Sequence, residues 1–140
     1  MSTHAPRYGR TFGVLEIILS VAILEIFAVP VLQLFVRAAQ EEKRARMTDT
    51  AVTAAVSYVE EFKSGATPFS LSATLGGQPD ADGQSYRRQV DLDNGVTATV
   101  VIRHDGENTA GGLYAIDVSA AGKGVNGTLY RLEGLMFFRQ

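Results

Sequence analysis

"TFGVLEIILSVAILEIFAVPVLQLFV", Thr11 to Val36, decides how the rest of the chain is read. From Phe12 to Val36 the run is almost wholly apolar over 25 residues, about 37 Å as a helix. That length crosses a hydrocarbon core of about 30 Å. A cleaved secretory signal would instead close its apolar region after about 7 to 15 residues. Two acids interrupt the run, Glu16 near its start and Glu25 in its middle. An acidic side chain at the centre of a spanning helix costs about 2.5 to 3.5 kcal/mol, so such groups are usually avoided or used.

The flanks agree with a single span. Residues 1–11, "MSTHAPRYGRT", are short and polar, with Arg7 and Arg10. After the span come Arg37, Lys43, Arg44 and Arg46, interleaved with Glu41 and Glu42. A bare count of positive charges would put the carboxyl-terminal side in the cytoplasm. The whole chain, at 140 residues, has room for one domain and one appendage. Its net charge of −2 offers no concentrated basic face for nucleic acid. The chain has no cysteine, which removes disulfides, thiol catalysis and thiolate metal sites.

Helical character continues past the span. Residues 37–64 hold no glycine or proline and are rich in Ala, Glu, Lys, Arg and Met. Val52, Ala55, Val56, Val59 and Phe62 make one apolar stripe, with Thr53, Ser57, Glu60 and Glu61 on the polar side. Gly65 and Pro68 supply the stop. One helix is therefore expected from about Phe12 to Lys63, kinked at Pro30. Residues 65–84 read as a loop by composition, and residues 85–140 as an antiparallel sheet. Its four runs are "SYRRQVDL", "VTATVVIRH", "LYAIDVSA" and "TLYRLEGLMFF", the first two joined by "DNG". In the third, Tyr114, Ile116 and Val118 alternate with Ala115, Asp117 and Ser119. The helical stripe is the natural cover for the apolar face of such a sheet. The expected class is α+β.

A basic leader, "FGVLE" at Phe12 to Glu16, "IILSVAILEIFAVP" after it and then an antiparallel sheet together resemble type IV pilins and the pseudopilins of type II secretion systems. The continuation "LQLFVRAAQEEKRA" looks more like a minor pilin or minor pseudopilin than a major subunit. The resemblance implies a prepilin leader, residues 1–11, cut by prepilin peptidase between Thr11 and Phe12. It implies N-methylation of Phe12, and an assembly role for Glu16, the fifth mature residue, against the α-amino group of a neighbouring subunit. It further implies a single-pass protein of the cytoplasmic membrane with its carboxyl-terminal domain outside the cytoplasm, against the charge count, and other pilin or pseudopilin subunits as partners. Two positions depart from the family. The residue before the cut is Thr11 where Gly is usual, which leaves cleavage after Thr11 and an unprocessed leader both open. Glu25 stands where a small or apolar residue is usual. It lies nine residues after Glu16, about 180° away around the helix, so the two acids cannot serve one partner on one face. Glu25 is a candidate for a second assembly contact or a protonated, snorkelling acid with no dedicated role.

The remaining candidates weigh lightly. "QPDADGQ", Gln78 to Gln84, places Asp80, Asp82 and Gly83 at calcium-loop spacing, but an EF-hand register would put Gln78 and Gln89 where acids are required. A solvated turn is expected there, with a bound calcium ion as the alternative and no other cofactor. His104 beside Asp105 lacks any nucleophile motif and reads as a strand-end turn, and "NGT" at Asn126 to Thr128 reads as a hairpin turn rather than a glycosylation site. The expectation is a structural filament subunit and not an enzyme. The rival class is a permanently anchored single-span protein whose extracytoplasmic sheet binds a ligand.

Overall fold

A computed structural model describes residues 12–108 and 111–139. The elements are α1 (Phe12–Ser64), α2 (Ser70–Leu75), β1 (Ser85–Asp91), β2 (Val96–Asn108), β3 (Gly111–Gly122) and β4 (Thr128–Arg139). The class is the expected α+β: a long helix with an apolar amino-terminal half, and a four-stranded antiparallel sheet. Contacts divide the chain into two units, Met1–Glu42 and Lys43–Gln140.

In the first unit, the described residues form α1 alone. Its large apolar side chains lie open all along the run, with Leu15, Phe27 and Phe35 each about two-thirds exposed (67%, 65% and 70%). Pro30 lies inside the helix, which continues through it. Having no N–H, it leaves the Ile26 carbonyl without its usual intrahelical donor.

In the second unit, the strands run β1-β2-β3-β4 as a meander. Register sets one face. Tyr86, Ile102, Ile116 and Gly134 form one row across the sheet, and Val100, Val118 and Leu132 form part of the next. Onto this face packs the Lys43–Ser64 part of α1, through Met47, Ala51, Ala55, Val59 and Phe62, all buried. Their spacing of four, four, four and three residues is one helical stripe. The expected stripe is corrected at one end: Met47 and Ala51 belong to it, whereas Val56 is exposed and Val52 only half-buried. Ala51 has 0% exposure because a methyl side chain lets the helix approach Val96 and Ala120 closely. Gly134 does the same from the sheet. A Cβ placed there would sit 3.0 Å from Val59 Cγ1 and 3.1 Å from Ile116 Cγ2. Phe62 closes the far end, edge-on to Phe138 with ring centroids 5.5 Å apart. Each such large side chain contributes about 1.5 to 3 kcal/mol on burial.

"DNG" turns the chain as its residues require. Asn94 and Gly95 have φ of 59° and 70°, left-handed angles that Asn and Gly accept readily, and with Asp93 they make the three-residue turn between Leu92 and Val96. The Leu92 N–H donates to the Val96 carbonyl at 2.8 Å, and Asn94 Nδ2 donates to Thr50 Oγ1 of α1 at 2.9 Å.

The expected loop over residues 65–84 is corrected by α2. Leu71 there is fully buried, with Phe69 and Leu75 packed against the same core. The turn ahead of it is tied by Ser70 Oγ, which accepts from the Thr67 N–H and donates to the Thr67 carbonyl, both at 2.9 Å. Gly76, left-handed at φ 69°, caps its end. Tertiary burial, not propensity, makes this six-residue helix.

Candidate functional site

The assembly candidates sit on α1 in the first unit. Glu16 lies one turn into the described helix, exposed, with Val14, Leu15, Ile17 and Ile18 around it, also exposed. Its carbonyl accepts a hydrogen bond from Ser20 Oγ at 2.7 Å. That bond occupies the only hydroxyl in the run and leaves the carboxylate pointing from an apolar surface. Glu25 is exposed likewise, between Leu24 and Ile26, on the opposite side of the helix by its nine-residue offset. Thr11 and the leader lie outside the described residues, as does His4. Of Phe12, the proposed first mature residue, only the backbone, within α1, is described.

A helix apolar on every side is built for an apolar surrounding, whether lipid or other helices. By length and composition α1 can cross a membrane, and none of its most apolar stretch is buried inside the chain. Lipid suits the apolar side chains and not the two carboxylates. Packed helices suit both, provided each acid meets a cation.

The second unit holds the sheet-side candidates. On the sheet face away from α1, Arg131 bridges Asp117 through Nε at 3.0 Å and reaches Glu133 at 3.0 Å. Asp117 is the inner member, with 18% side-chain exposure against 58% for Arg131. The hydrogen bond to Asp117 and its charge hold the guanidinium protonated even more firmly than usual. Beside this charged row lie exposed Leu135 and Phe137. A depression of about 220 Å³ opens there between Arg103, Asp105, Ala115 and Leu135. Acidic and basic side chains line it together, with Asp117 and Glu133 beside Arg103.

His104 lies on the α1 side of the sheet, its ring 4.8 Å from that of Tyr114. Gly112 makes room for it, since a Cβ there would fall 2.8 Å from His104 Nε2. Asp105 stands at the irregularity where β2 and β3 slip register between His104 and Gly106. The pair is thus a bulge in a strand that runs on to Asn108, not the strand end that composition suggested.

The acidic loop spends its oxygens on itself. Asp82 Oδ1 accepts from the N–H groups of Gln84 at 2.9 Å and Ser85 at 3.1 Å, and the single hydrogen of Ser85 Oγ is shared between Asp82 Oδ2 at 2.8 Å and Asp80 Oδ2 at 3.1 Å. These bonds, the Gln84 N–H foremost, lower the Asp82 pKa below its ordinary value. Among the described residues no cluster of three or more His, Cys, Asp or Glu is placed to hold a metal. Asn126 falls in the β3–β4 connection, where Gly124 and Gly127 have φ of 81° and 96° and the Val125 N–H donates to the Gly122 carbonyl at 3.1 Å. Among the described residues, Glu16 and Glu25, on opposite sides of the apolar helix, are the acids whose apolar setting the fold does not explain. No family model, no curated protein and no solved structure matches the chain.

Proposed function

We propose that this chain is a structural subunit, a minor pilin or pseudopilin of a type IV pilus-like or type II secretion filament, held in the cytoplasmic membrane until it is assembled. One observation carries the reading: Glu16, five positions into "FGVLE", stands exposed on a helix otherwise apolar and uncovered. Prepilin peptidase would cut between Thr11 and Phe12 and free the α-amino group of Phe12, which is then methylated. Glu16 of one subunit neutralises that amine on the next. An unpaired charge in such a bundle costs several kcal/mol, and pairing recovers much of it, so only one axial stagger is favourable. The sheet lies outside the cytoplasm, and its face with Leu135, Phe137 and the Asp117–Arg131–Glu133 row selects neighbours or cargo. No bond-making step is assigned to the chain.

The test compares filament in the sheared surface fraction with subunit left in the membrane, for the wild-type chain, Glu16→Ala and Glu25→Ala. Glu16→Ala is expected to lower the assembled fraction at least tenfold with membrane levels unchanged. Assembly undiminished by Glu16→Ala contradicts the reading. Thr11 before the cut favours one second reading, a permanently anchored protein whose outward sheet binds a ligand. It requires an intact leader and indifference to Glu16.

A further inference from the structure

Resting on the filament reading, we infer that Arg37 of one copy pairs with Glu41 of a second copy, in the same register that joins the Phe12 amine to Glu16. The argument is one of spacing. Glu41 lies 25 residues after Glu16, and Arg37 lies 25 residues after Phe12. All four positions belong to one uninterrupted helix within the first unit. Twenty-five residues turn the helix to about 20° short of seven full turns, so Glu41 shares the face of Glu16, and Arg37 the face of Phe12. A second copy displaced by four residues, about 6 Å along the axis, brings both cations level with both acids at once. Over the same 25 residues the helix rises about 37 Å. The two pairs therefore bracket the apolar run, one at each end.

Other staggers do worse. A five-residue displacement sets Arg37 beside Glu42 and Arg44 beside Asp49, but leaves Glu16 beyond the end of the neighbouring helix. A displacement of thirteen gives Glu25 the amine and sets Arg37 against Thr50. Four is the shift that satisfies Glu16 and keeps a second ion pair.

Arg37 and Glu41 are also available for this use. They stand four residues apart on one helix in the order Arg then Glu, the weaker order for an intrahelical pair. Among the described residues neither makes an ion pair within its own chain, and both are exposed. The occupant of this helix face is thus a second copy of the chain, chosen by matched charge at a matched interval.

The absence of cysteine supplies a clean reporter. Leu19 and Ile23 stand seven residues after Phe12 and Glu16, so they share the same four-residue offset and nearly the same faces. Full-length chains carrying Leu19→Cys and Ile23→Cys are co-expressed and the mixed cross-link is measured in membranes and filaments. Arg37→Glu on the Leu19→Cys chain should lower that cross-link at least fivefold. Adding Glu41→Arg to the Ile23→Cys chain should restore it to within twofold. A cross-link unchanged by Arg37→Glu, or unrestored by Glu41→Arg in the partner copy, overturns the pair. An intact leader, with cross-linking indifferent to Glu16→Ala, would overturn the filament reading itself, so the two failures are told apart.

Discussion

Helix α1 has two halves that the same backbone treats in opposite ways. Along Val14 to Val36 the large apolar side chains stay open, whereas from Met47 to Phe62 the apolar side chains of one stripe disappear into the sheet. The second half is apolar on a single face and finds its cover within its own chain. The first is apolar on every face, so no one sheet could cover it. Burial follows from the width of the apolar surface, not from its hydrophobicity alone. Structure within the chain explains the second half. The first half makes sense only with other molecules around it.

A matched pair of truncations probes that contrast most strongly. Phe62→Ala removes a ring that is 1% exposed and should cost about 3 to 5 kcal/mol. Phe27→Ala removes one that is 65% exposed and should leave the unfolding of the second unit unchanged. Denaturant titration of the detergent-solubilised chain, followed by tyrosine fluorescence, reads both. Equal losses would erase the distinction between the halves.

Gly134→Val comes next in size. It forces a side chain between Val59 and Ile116, where a bare Cβ already meets carbons at 3.0 and 3.1 Å. Overpacking of that kind should cost about 1 to 3 kcal/mol, read in the same titration.

Tyr86→Phe should move the other way. Tyr86 is 1% exposed, and its hydroxyl is buried without a hydrogen-bond partner among the described residues. Removing an unsatisfied group should leave stability unchanged or raise it by about 1 kcal/mol, and a clear loss would reveal a partner for the hydroxyl.

The smallest effect is Asp82→Asn. The folded-state pKa of Asp82 is lowered, so its contribution is present above the unfolded value of about 3.9 and lost as pH falls through the folded one. Wild-type and Asp82→Asn midpoints should differ at pH 7 and converge as pH drops below about 4. A gap that widens on acidification would contradict that sign. The effect should stay confined to the second unit.

Much of this contrast was legible in the sequence, for reasons that differ by element. The apolar run and its two acids need no tertiary information, and neither does "DNG", whose left-handed angles only Asn and Gly accept readily. Alternation in "LYAIDVSA" fixed the sheet's faces because β3 is covered on one side. The stripe read from the sequence omits Met47 and Ala51 and includes the exposed Val56. Met47 sits next to a charged run, Ala51 is too small to weigh in a hydropathy pattern, and what buries them is the distant pair Val96 and Ala120. Helix α2 was hidden because "SLSATL" reads as loop until Leu71 has a core to enter. The β2 extension through "HDG" was missed because the irregularity at His104 and Gly106 breaks the alternation. Of the candidate site, sequence marks Glu16 and Glu25 outright, since an acid in an apolar run is anomalous by itself. What it could not supply is cover, and in the structure the chain leaves both acids exposed.

The most direct test of the central claim is the intact mass and amino-terminal sequence of the protein taken from its own membranes. A chain beginning at Phe12, with or without the mass of one added methyl group, is the result this account predicts. It would set Glu16 at the fifth position and supply the amine it pairs with. A chain beginning at Met1 or Ser2, in cells whose prepilin peptidase processes its other substrates, would contradict the account and leave Glu16 an acid at the edge of a permanent anchor.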